Sequence, residues 1–264
     1  MKKLLEIEWM KVKNYRTFWI LTGLFVVAVV GINYIGYMIN SQVDETTSAV
    51  GLGTGSPFDF PKVWNTVAWM SSLLLYFPGF IMIFLVSNEF TYKTHRQNII
   101  DGLSRKQFVM VKLNVALILA ITSTLLVLLT TIIFGLLGKG SLNGDGFVYI
   151  GYFFVCSFVY ILFAMVISLL LRKAALSVGI YFIYGLIIDN IIPALLRKSF
   201  DGKPYGSYLM PLDVADGLLP FPFFKNQIEA VLKTPNPYIC LGICTVWIAF
   251  YYWFSIRKFE NEDL

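Results

Sequence analysis

Residues 88–112 read NEFTYKTHRQNIIDGLSRKQFVMVK and form a short polar segment between two long apolar runs. This segment carries five Lys or Arg residues, two acids and the only His of the chain, His95. A basic segment between two apolar runs is typical of a cytoplasmic loop of a membrane protein. The surrounding sequence therefore predicts an apolar chain that returns to the cytoplasm at this loop, where a soluble partner can contact it.

The composition supports a membrane protein. Hydrophobic residues make up 57% of the 264 residues, charged residues make up 14%, and the mean hydropathy is +0.70. A soluble domain contains about 25% charged residues. We therefore predict an all-α integral membrane protein in which residues 1–264 form a single transmembrane domain. The net charge of +5 is assigned to loops on one side of the membrane rather than to nucleic-acid binding.

Six apolar runs reach the length of about 20 residues that a transmembrane helix needs. The first run follows a basic stretch, but it is too long for a signal peptide and no small-residue cleavage site follows it, so it is predicted to be retained. The predicted spans are 18–39, 63–87, 113–137, 147–171, 174–196 and 238–256.

The distribution of Lys and Arg predicts that both termini lie in the cytoplasm. With the N-terminus inside, the inner segments hold 14 Lys or Arg residues and the longer outer segments hold 7. An excess of Lys and Arg marks the cytoplasmic side, so the chain is predicted to be a multi-pass protein of the cytoplasmic, or inner, membrane.

Two segments outside the six apolar runs suggest further elements. In residues 1–17, Leu5, Trp9 and Val12 recur at helical spacing among Lys and Glu, which predicts an amphipathic helix in the inner headgroup layer of the lipids. The outer segment 197–237 is too broken by Pro and charge to span, yet too apolar for a solvated loop. It is predicted to form a semi-buried outer helical segment between spans five and six.

Little in the chain suggests catalysis. It has one His, no metal-ligand cluster and no pair of intramembrane carboxylates. Cys156, Cys240 and Cys244 lie in apolar runs and are interpreted as small buried side chains rather than as disulfides or metal ligands. The GLLGKG stretch at 135–140 has the wrong spacing for a phosphate loop. We therefore predict no enzyme activity and no cofactor in this chain.

A few residues are candidates for a pathway or gate. Pro78, beside Gly79, is predicted to kink the second span because proline removes a backbone hydrogen bond. Asp189 is the only acid within a predicted span, and both a solvated helix end and a proton relay fit it. Aromatic side chains in the outer segment fit either a pathway lining or membrane anchors; they are Phe221, Phe223 and Phe224.

The 88–112 segment predicts an ordered turn–helix–turn rather than a plain loop. Residues 94–100 are predicted to form a short helix, which Asp101-Gly102 ends before Ser104 caps the next helix. Such a helix suits docking into a cleft of a cytosolic protein. Glu89 is predicted to orient the segment by pairing with Lys93 or Arg96.

The run from Glu89 to Lys112 resembles the segment after the second span of type-2 ABC transporter permeases. In that family a Glu near the span end precedes Gly-Thr, a short helix, a break, Ser-Arg and a Lys at the next span. This chain has Lys93 where Gly is usual and Gly102 where many members have Pro. The resemblance also covers the layout of the whole chain, with its N-terminal helix, six spans and outer segment.

The resemblance implies the membrane subunit of an ATP-driven exporter. It implies two partners besides membrane lipids: a second permease copy or paralogue, and a separate ABC ATPase subunit that binds ATP and Mg. The expected contacts with the ATPase are Glu89, Thr94, Arg96, Gln97, Asn98, Ser104 and Arg105.

Two other functions stay open on the sequence alone. An ion-coupled secondary transporter or channel would need intramembrane charges beyond Asp189 and, usually, repeated halves. A non-transporting membrane scaffold or sensor would use the 88–112 segment only to dock a partner.

Overall fold

The computed structural model describes residues 2–49, 56–100, 102–138, 141–199, 206, 208–223 and 235–260. These parts of the chain contain helices and no strand. A π-helical turn covers Tyr184–Ile188. The α-helices are α1 (Lys2–Lys13), α2 (Arg16–Ala49), α3 (Val63–Ser72), α4 (Tyr76–Thr91), α5 (Thr94–Ile100), α6 (Arg105–Leu137), α7 (Val148–Leu171), α8 (Ala174–Ile183), α9 (Asp189–Ser199), α10 (Pro211–Asp216) and α11 (Pro237–Glu260).

Five helical stretches of the described chain are long and apolar enough to cross a membrane. The pair α3–α4, bent by 44°, makes a sixth span if it is taken as one. The predicted all-helical membrane fold is therefore confirmed, and the stretches overlap all six predicted spans. They are Arg16–Gln42, Arg105–Leu137, Val148–Leu171, Ala174–Leu196 and Pro237–Glu260, with Val63–Ser72 and Tyr76–Thr91 as the bent pair.

Helix α6 is longer than the span predicted at 113–137. Its 33 residues correspond to about 50 Å, whereas the hydrocarbon core of a bilayer measures about 30 Å. The helix begins early because Ser104 accepts a hydrogen bond from the backbone of Gln107, whose side chain bonds back to the backbone of Ser104. This capping box starts the helix inside the polar segment and extends α6 beyond its apolar part.

Helix α7 lies at the centre of the bundle. It packs against α3, α4, α6 and α11, and 72% of its most apolar window is buried, compared with 17% for α2 and 22% for α11. Side chains that are apolar around the whole helix suit such a central position. The outer helices keep exposed apolar faces, which in a membrane face lipid or another subunit.

Helix α1 packs on the bundle through a face that differs from the apolar stripe in the sequence. Glu8 and Val12 are buried, whereas Trp9 and Met10 are more than half exposed. Trp9 was predicted on the same face as Val12, but it points away and meets Trp19 at 6.4 Å between ring centroids. The charge on Glu8 is what draws this side of α1 inward, as described below.

The described part of the outer segment contains one short helix, α10, which begins at Pro211. Its apolar side chains are buried against α7 and α11, including Leu212, Val214 and Ala215. The neighbouring Gly217 approaches α11 so closely that an added Cβ would lie 3.2 Å from Cys240 Sγ. This part of the segment therefore belongs to the packed bundle.

Candidate functional site

Four charged side chains, three of them buried and Lys11 partly exposed, form a cluster where three helices meet. Lys112, on α6, donates hydrogen bonds to Glu89 at 2.7 Å and to Glu8. Lys11, next to Glu8 on α1, donates to both carboxylates at 2.8 Å. The cluster has two positive and two negative charges, so it is neutral as a whole. It ties α1 to the end of α4 and the start of α6.

The charged groups of the cluster stabilise each other's ionised forms. Burial would raise the pKa of Glu8, but attraction to Lys112 and a hydrogen bond from Lys11 outweigh it, and the pKa lies below its ordinary value. Burial would likewise lower the pKa of Lys11, but attraction to Glu89 and its hydrogen bond to Glu8 raise it. Both side chains are therefore charged around neutral pH. A buried ion pair is stable only when such attractions and hydrogen bonds offset the cost of removing both charges from water.

The predicted pairing of Glu89 with Lys93 or Arg96 is wrong. Both cations lie on the exposed side of the turn after α4, whereas the Glu89 side chain points into the bundle. The acid meets lysines that are 78 and 23 residues away in the sequence. The helix ends before Lys93, where φ is +55°, so Lys93 and Arg96 do not continue the helix that carries Glu89.

The main chain of Glu89 anchors the start of α5. Its carbonyl oxygen accepts a hydrogen bond from His95 Nδ1 at 2.9 Å and a longer one from Thr94 Oγ1 at 3.5 Å. The His95 ring is buried and packs on Phe90 at 4.8 Å between centroids. One residue, Glu89, therefore joins the charge cluster through its side chain and α5 through its backbone.

Helix α5 has the limits predicted from the sequence, residues 94 and 100. It ends in a Schellman motif, in which Gly102 N–H donates to Ile99 O and Leu103 N–H donates to Asn98 O. Gly102 has a φ of +98°, which suits glycine. The carboxyl-terminal turn of α5 is therefore fixed by backbone hydrogen bonds.

The residues predicted to contact an ATPase lie together but differ in exposure. Arg96, Gln97 and Ser104 are exposed, Asn98 is partly exposed, and Glu89 is buried. The accessible members therefore form one polar patch around α5.

Arg105 is already engaged within the chain. Its guanidinium donates a hydrogen bond of 2.9 Å to the backbone oxygen of Glu260, at the end of α11. Nearby, Phe259 stacks on Phe108 at 4.7 Å. The polar patch is thus tied to α11 as well as to α1, α4 and α6.

A second irregular region lies in the middle of the bundle, where span two breaks. The break covers residues 73–75, and Pro78 is the third residue of the helix that follows. Proline cannot donate to the carbonyl of Leu74, four residues before it, and its ring crowds that carbonyl. The kink predicted for Pro78-Gly79 is therefore present, on the amino-terminal side of the proline.

The break in span two faces the π-helical turn of span five through two reciprocal glycine–tyrosine contacts. A Cβ atom on Gly79 of α4 would lie 2.6 Å from Tyr181 Cζ on α8. A Cβ atom on Gly185 of the π-turn would lie 2.9 Å from Tyr76 Cε1 on α4. Each helix thus supplies one glycine and one tyrosine, and two helical irregularities face each other.

Asp189 is not a solvated helix end. Only 2% of its surface is exposed, and its Oδ1 accepts a hydrogen bond of 3.4 Å from Leu212 N–H in the first turn of α10. A carboxylate at the free N–H groups of a helix start stabilises that helix. The aspartate therefore holds α10 against the end of span five, and the prediction of a wet helix end is corrected.

The aromatic residues of the outer segment pack on span two. Phe221 and Phe223 contact Trp69 of α3 at 4.8 and 6.5 Å between centroids. Asn65, one turn away, donates to the backbone oxygen of Pro220. Phe224 lies outside the described residues. These contacts hold the outer segment beside α3, the first of the two helices of the bent span.

The sequence reasoning missed Asp216, the last residue of α10. Its Oδ2 accepts a hydrogen bond of 2.8 Å from Tyr160 Oη, and its Oδ1 lies 3.6 Å from Cys156 Sγ. Asp216 is not within an apolar run, so hydropathy gave no signal of its position. Only the packing of α10 against α7 brings it into the bundle.

Within the described residues, no group of three or more His, Cys, Asp or Glu side chains is placed to hold a metal ion. The three cysteines are buried and unbridged.

A comparison with known families now identifies the class of protein. The family model described as ABC-2 family transporter protein matches residues 4–188. The match covers more than half of the chain and runs from α1 to the end of the π-turn. The chain therefore belongs to this family, which confirms the resemblance to type-2 ABC permeases. No curated protein matches it.

Family membership makes the chain a multi-pass membrane protein and a transmembrane component of an ABC transporter. Members of the family typically work with a separate ATPase subunit. This finding favours an ABC transporter over the ion-coupled alternative.

Proposed function

We propose that the chain forms the substrate pathway of an ATP-driven exporter in the cytoplasmic membrane, with both termini in the cytoplasm. A second permease, a copy or a paralogue, completes the pathway. The chemistry of ATP and Mg belongs to a separate ATPase subunit. The substrate is amphipathic, because the bundle offers mostly aromatic and aliphatic surfaces.

The observation that carries this proposal is the attachment of α5 to the buried charge cluster through Glu89. Exposed polar side chains on α5 give an ATPase a surface to hold, and Glu89 links that surface to the ends of three helices. A displacement of α5 is therefore transmitted to α1, α4 and α6 rather than absorbed by a loose loop. We assign α5 as the coupling helix and α1 as the interfacial helix.

The pathway is proposed to run beside the break in span two. Near Pro78 and in the facing π-turn, the backbone hydrogen bonding departs from that of a regular α-helix. Discontinuous helices often move as hinges in membrane transporters. Phe221 and Phe223 lie against α3, the first helix of the same bent span, and line the outer end of the proposed pathway.

The test uses the ATPase encoded with this chain, or the one that co-purifies with it. The double variant Arg96→Ala and Gln97→Ala removes two exposed side chains and should cost less than about 0.5 kcal/mol of stability. We expect weaker co-purification of the ATPase or hydrolysis that no longer responds to substrate. Lys173→Ala, which removes an exposed cation on the same predicted side, is the control and should behave as the parent.

Parental co-purification and parental substrate response in the double variant would contradict the assignment of α5. Specific ATP hydrolysis by the isolated chain would contradict the proposal that a separate subunit hydrolyses ATP. Single cysteines at Leu142 and Lys106 test the orientation, since a membrane-impermeant reagent should label position 142, but not position 106, from outside. Labelling of position 106 from outside would overturn the proposed topology.

A further inference from the structure

Asp216 brings a carboxylate to the middle of the membrane-spanning bundle. Its hydrogen-bond partner Tyr160 is the thirteenth of the 24 residues of α7. At 1.5 Å per residue, Tyr160 lies about 18 Å from either end of that helix. The 208–223 segment therefore reaches about half the depth of the bundle, and α10 ends there with an acid.

The carboxylate of Asp216 has two side-chain donors but no cationic partner among the residues that the structure describes. Tyr160 and Cys156 each approach one oxygen of Asp216. None of the ion pairs among Glu8, Lys11, Glu89 and Lys112 involves Asp216, and no described cationic side chain pairs with this acid. A carboxylate has about four acceptor sites, so the two side-chain donors leave capacity for another ligand.

The position of Asp216 also allows access. Asp216 itself is exposed, although Tyr160 and Cys156, the side chains that approach its carboxylate, are buried in the bundle. Aromatic rings stand beside it: Tyr160 meets the half-buried Tyr76 edge to face at 5.8 Å. Aromatic faces and a carboxylate together favour a cation, through ring attraction and a charge-assisted hydrogen bond.

We propose that Asp216 is a substrate-binding residue that selects amphiphiles carrying an ammonium or guanidinium group. The inference rests on the proposed export function and names the substrate class of the same pathway. Ionisable side chains at membrane depth are costly and are normally matched by a partner. Here the cationic group of the transported molecule is that partner, and its apolar part lies against the aromatic residues of the bent span.

The family match ends at residue 188, so Asp216 lies outside the part of the chain that the family model describes.

Two contacts hold α10 in place beside the proposed site. Asp189 fixes the start of α10, and the close approach of Gly217 to Cys240 fixes its end. These contacts position the carboxylate of Asp216 against α7.

The experiment measures binding of two fluorescent probes to the full chain in nanodiscs of neutral phosphatidylcholine. Dansylcadaverine carries an aromatic ring, an alkyl chain and an ammonium group, and its N-acetyl derivative carries a neutral acetamide in place of the ammonium. We expect the parent to bind the cationic probe about tenfold more tightly, which corresponds to ~1.4 kcal/mol. Empty nanodiscs correct for partition into lipid.

Asp216→Asn keeps the shape and should abolish this preference, whereas Asp216→Glu should keep it. Asp216→Ser gives the same measurement if the Asn variant folds poorly. Asp145→Asn removes an exposed acid from the 141–147 loop and is the matched control, expected to bind as the parent does. Equal affinity of the parent for both probes, or an unchanged preference in the folded Asn or Ser variant, would overturn the proposal.

The binding measurement needs no ATPase, which separates this inference from the function on which it rests. Loss of charge preference with parental ATPase coupling would remove the substrate assignment alone. Failure of the Arg96 and Gln97 test, with charge preference intact, would leave a cation site on a chain whose partner contacts lie elsewhere.

Discussion

Lys112 Nζ, on α6, lies 2.7 Å from Glu89 Oε1, near the end of α4, and neither side chain exposes more than 5% of its surface. Removal of one member leaves an unmatched charge in the interior, and such changes cost about 3–5 kcal/mol. We expect Lys112→Met to lower the thermal unfolding temperature of the purified protein strongly.

The double variant Glu89→Met and Lys112→Met is the control for that prediction. It removes one charge of each sign and leaves Glu8 paired with Lys11. We expect it to be more stable than Lys112→Met alone, because no unmatched charge is buried. Equal unfolding temperatures for the single and double variants would mean that Lys112 acts through packing rather than charge.

The charge cluster also predicts how stability depends on pH. The pKa of Glu8 is lowered from its ordinary value of 4.5, so the ionised acid stabilises the folded state above that value. This contribution is lost as the pH falls through the lower folded-state pKa. The raised pKa of Lys11 places its own loss above 10.5. The contributions of Glu8 and Lys11 are therefore both complete around pH 7.

The corresponding measurement compares the parent with Glu8→Gln. We expect the parent to be more stable at pH 7, and the difference to shrink as the pH is lowered from 5 toward 3. Unfolding temperatures in detergent at several pH values report this difference directly. A difference that stays constant over that range would show that ionisation of Glu8 contributes nothing.

A third prediction concerns Lys93, which adopts a left-handed backbone conformation with φ at +55°. Its side chain is exposed, so little contact is lost on replacement. Glycine adopts this conformation without strain, although it also costs entropy on folding. We expect Lys93→Gly to stabilise the chain by about 0.5 kcal/mol, and Lys93→Ala to bring no such gain. A destabilised Gly variant would contradict this account of the turn.

The 88–112 segment shows what the sequence can predict. Its helix limits follow from local chemistry, since Gly102 ends α5 in a Schellman motif and Ser104 caps α6. Such signals act within a few residues and are visible in the sequence. The Gly that is usual in the family at the position of Lys93 has a structural reason, because this position has a positive φ.

The partners of Glu89 could not be predicted in the same way. Lys11 lies 78 residues away from it, and only the packing of α1 on the bundle brings the two together. Asp216 was missed for a similar reason, because a short helix after Pro211 reads as an outer segment until its contact with α7 is known. Hydropathy locates spans, but it does not predict which polar residues meet between them.

A last prediction concerns the reciprocal contacts between span two and span five. A Cβ atom on Gly79 would lie 2.6 Å from Tyr181 Cζ, and real Cβ atoms almost never come so close to another atom. Tyr181 is fully buried and cannot move aside freely. We expect Gly79→Ala to push the helices apart and to destabilise the chain by about 1–3 kcal/mol.

Gly151→Ala is the matched control, since Gly151 is also a helical glycine but has no atom within 4 Å of an added Cβ. Alanine favours a helix over glycine by about 1 kcal/mol, so this control should be neutral or slightly stabilised. Unfolding temperature measures both variants, and ATP-driven export of dansylcadaverine measures the pathway. If the contact also sets the geometry of the break, Gly79→Ala should reduce export by more than its loss of stability explains. Addition of Tyr181→Ala to this variant should then restore part of the lost export. Parental stability and export in Gly79→Ala would show that the two helices are not locked together at this point.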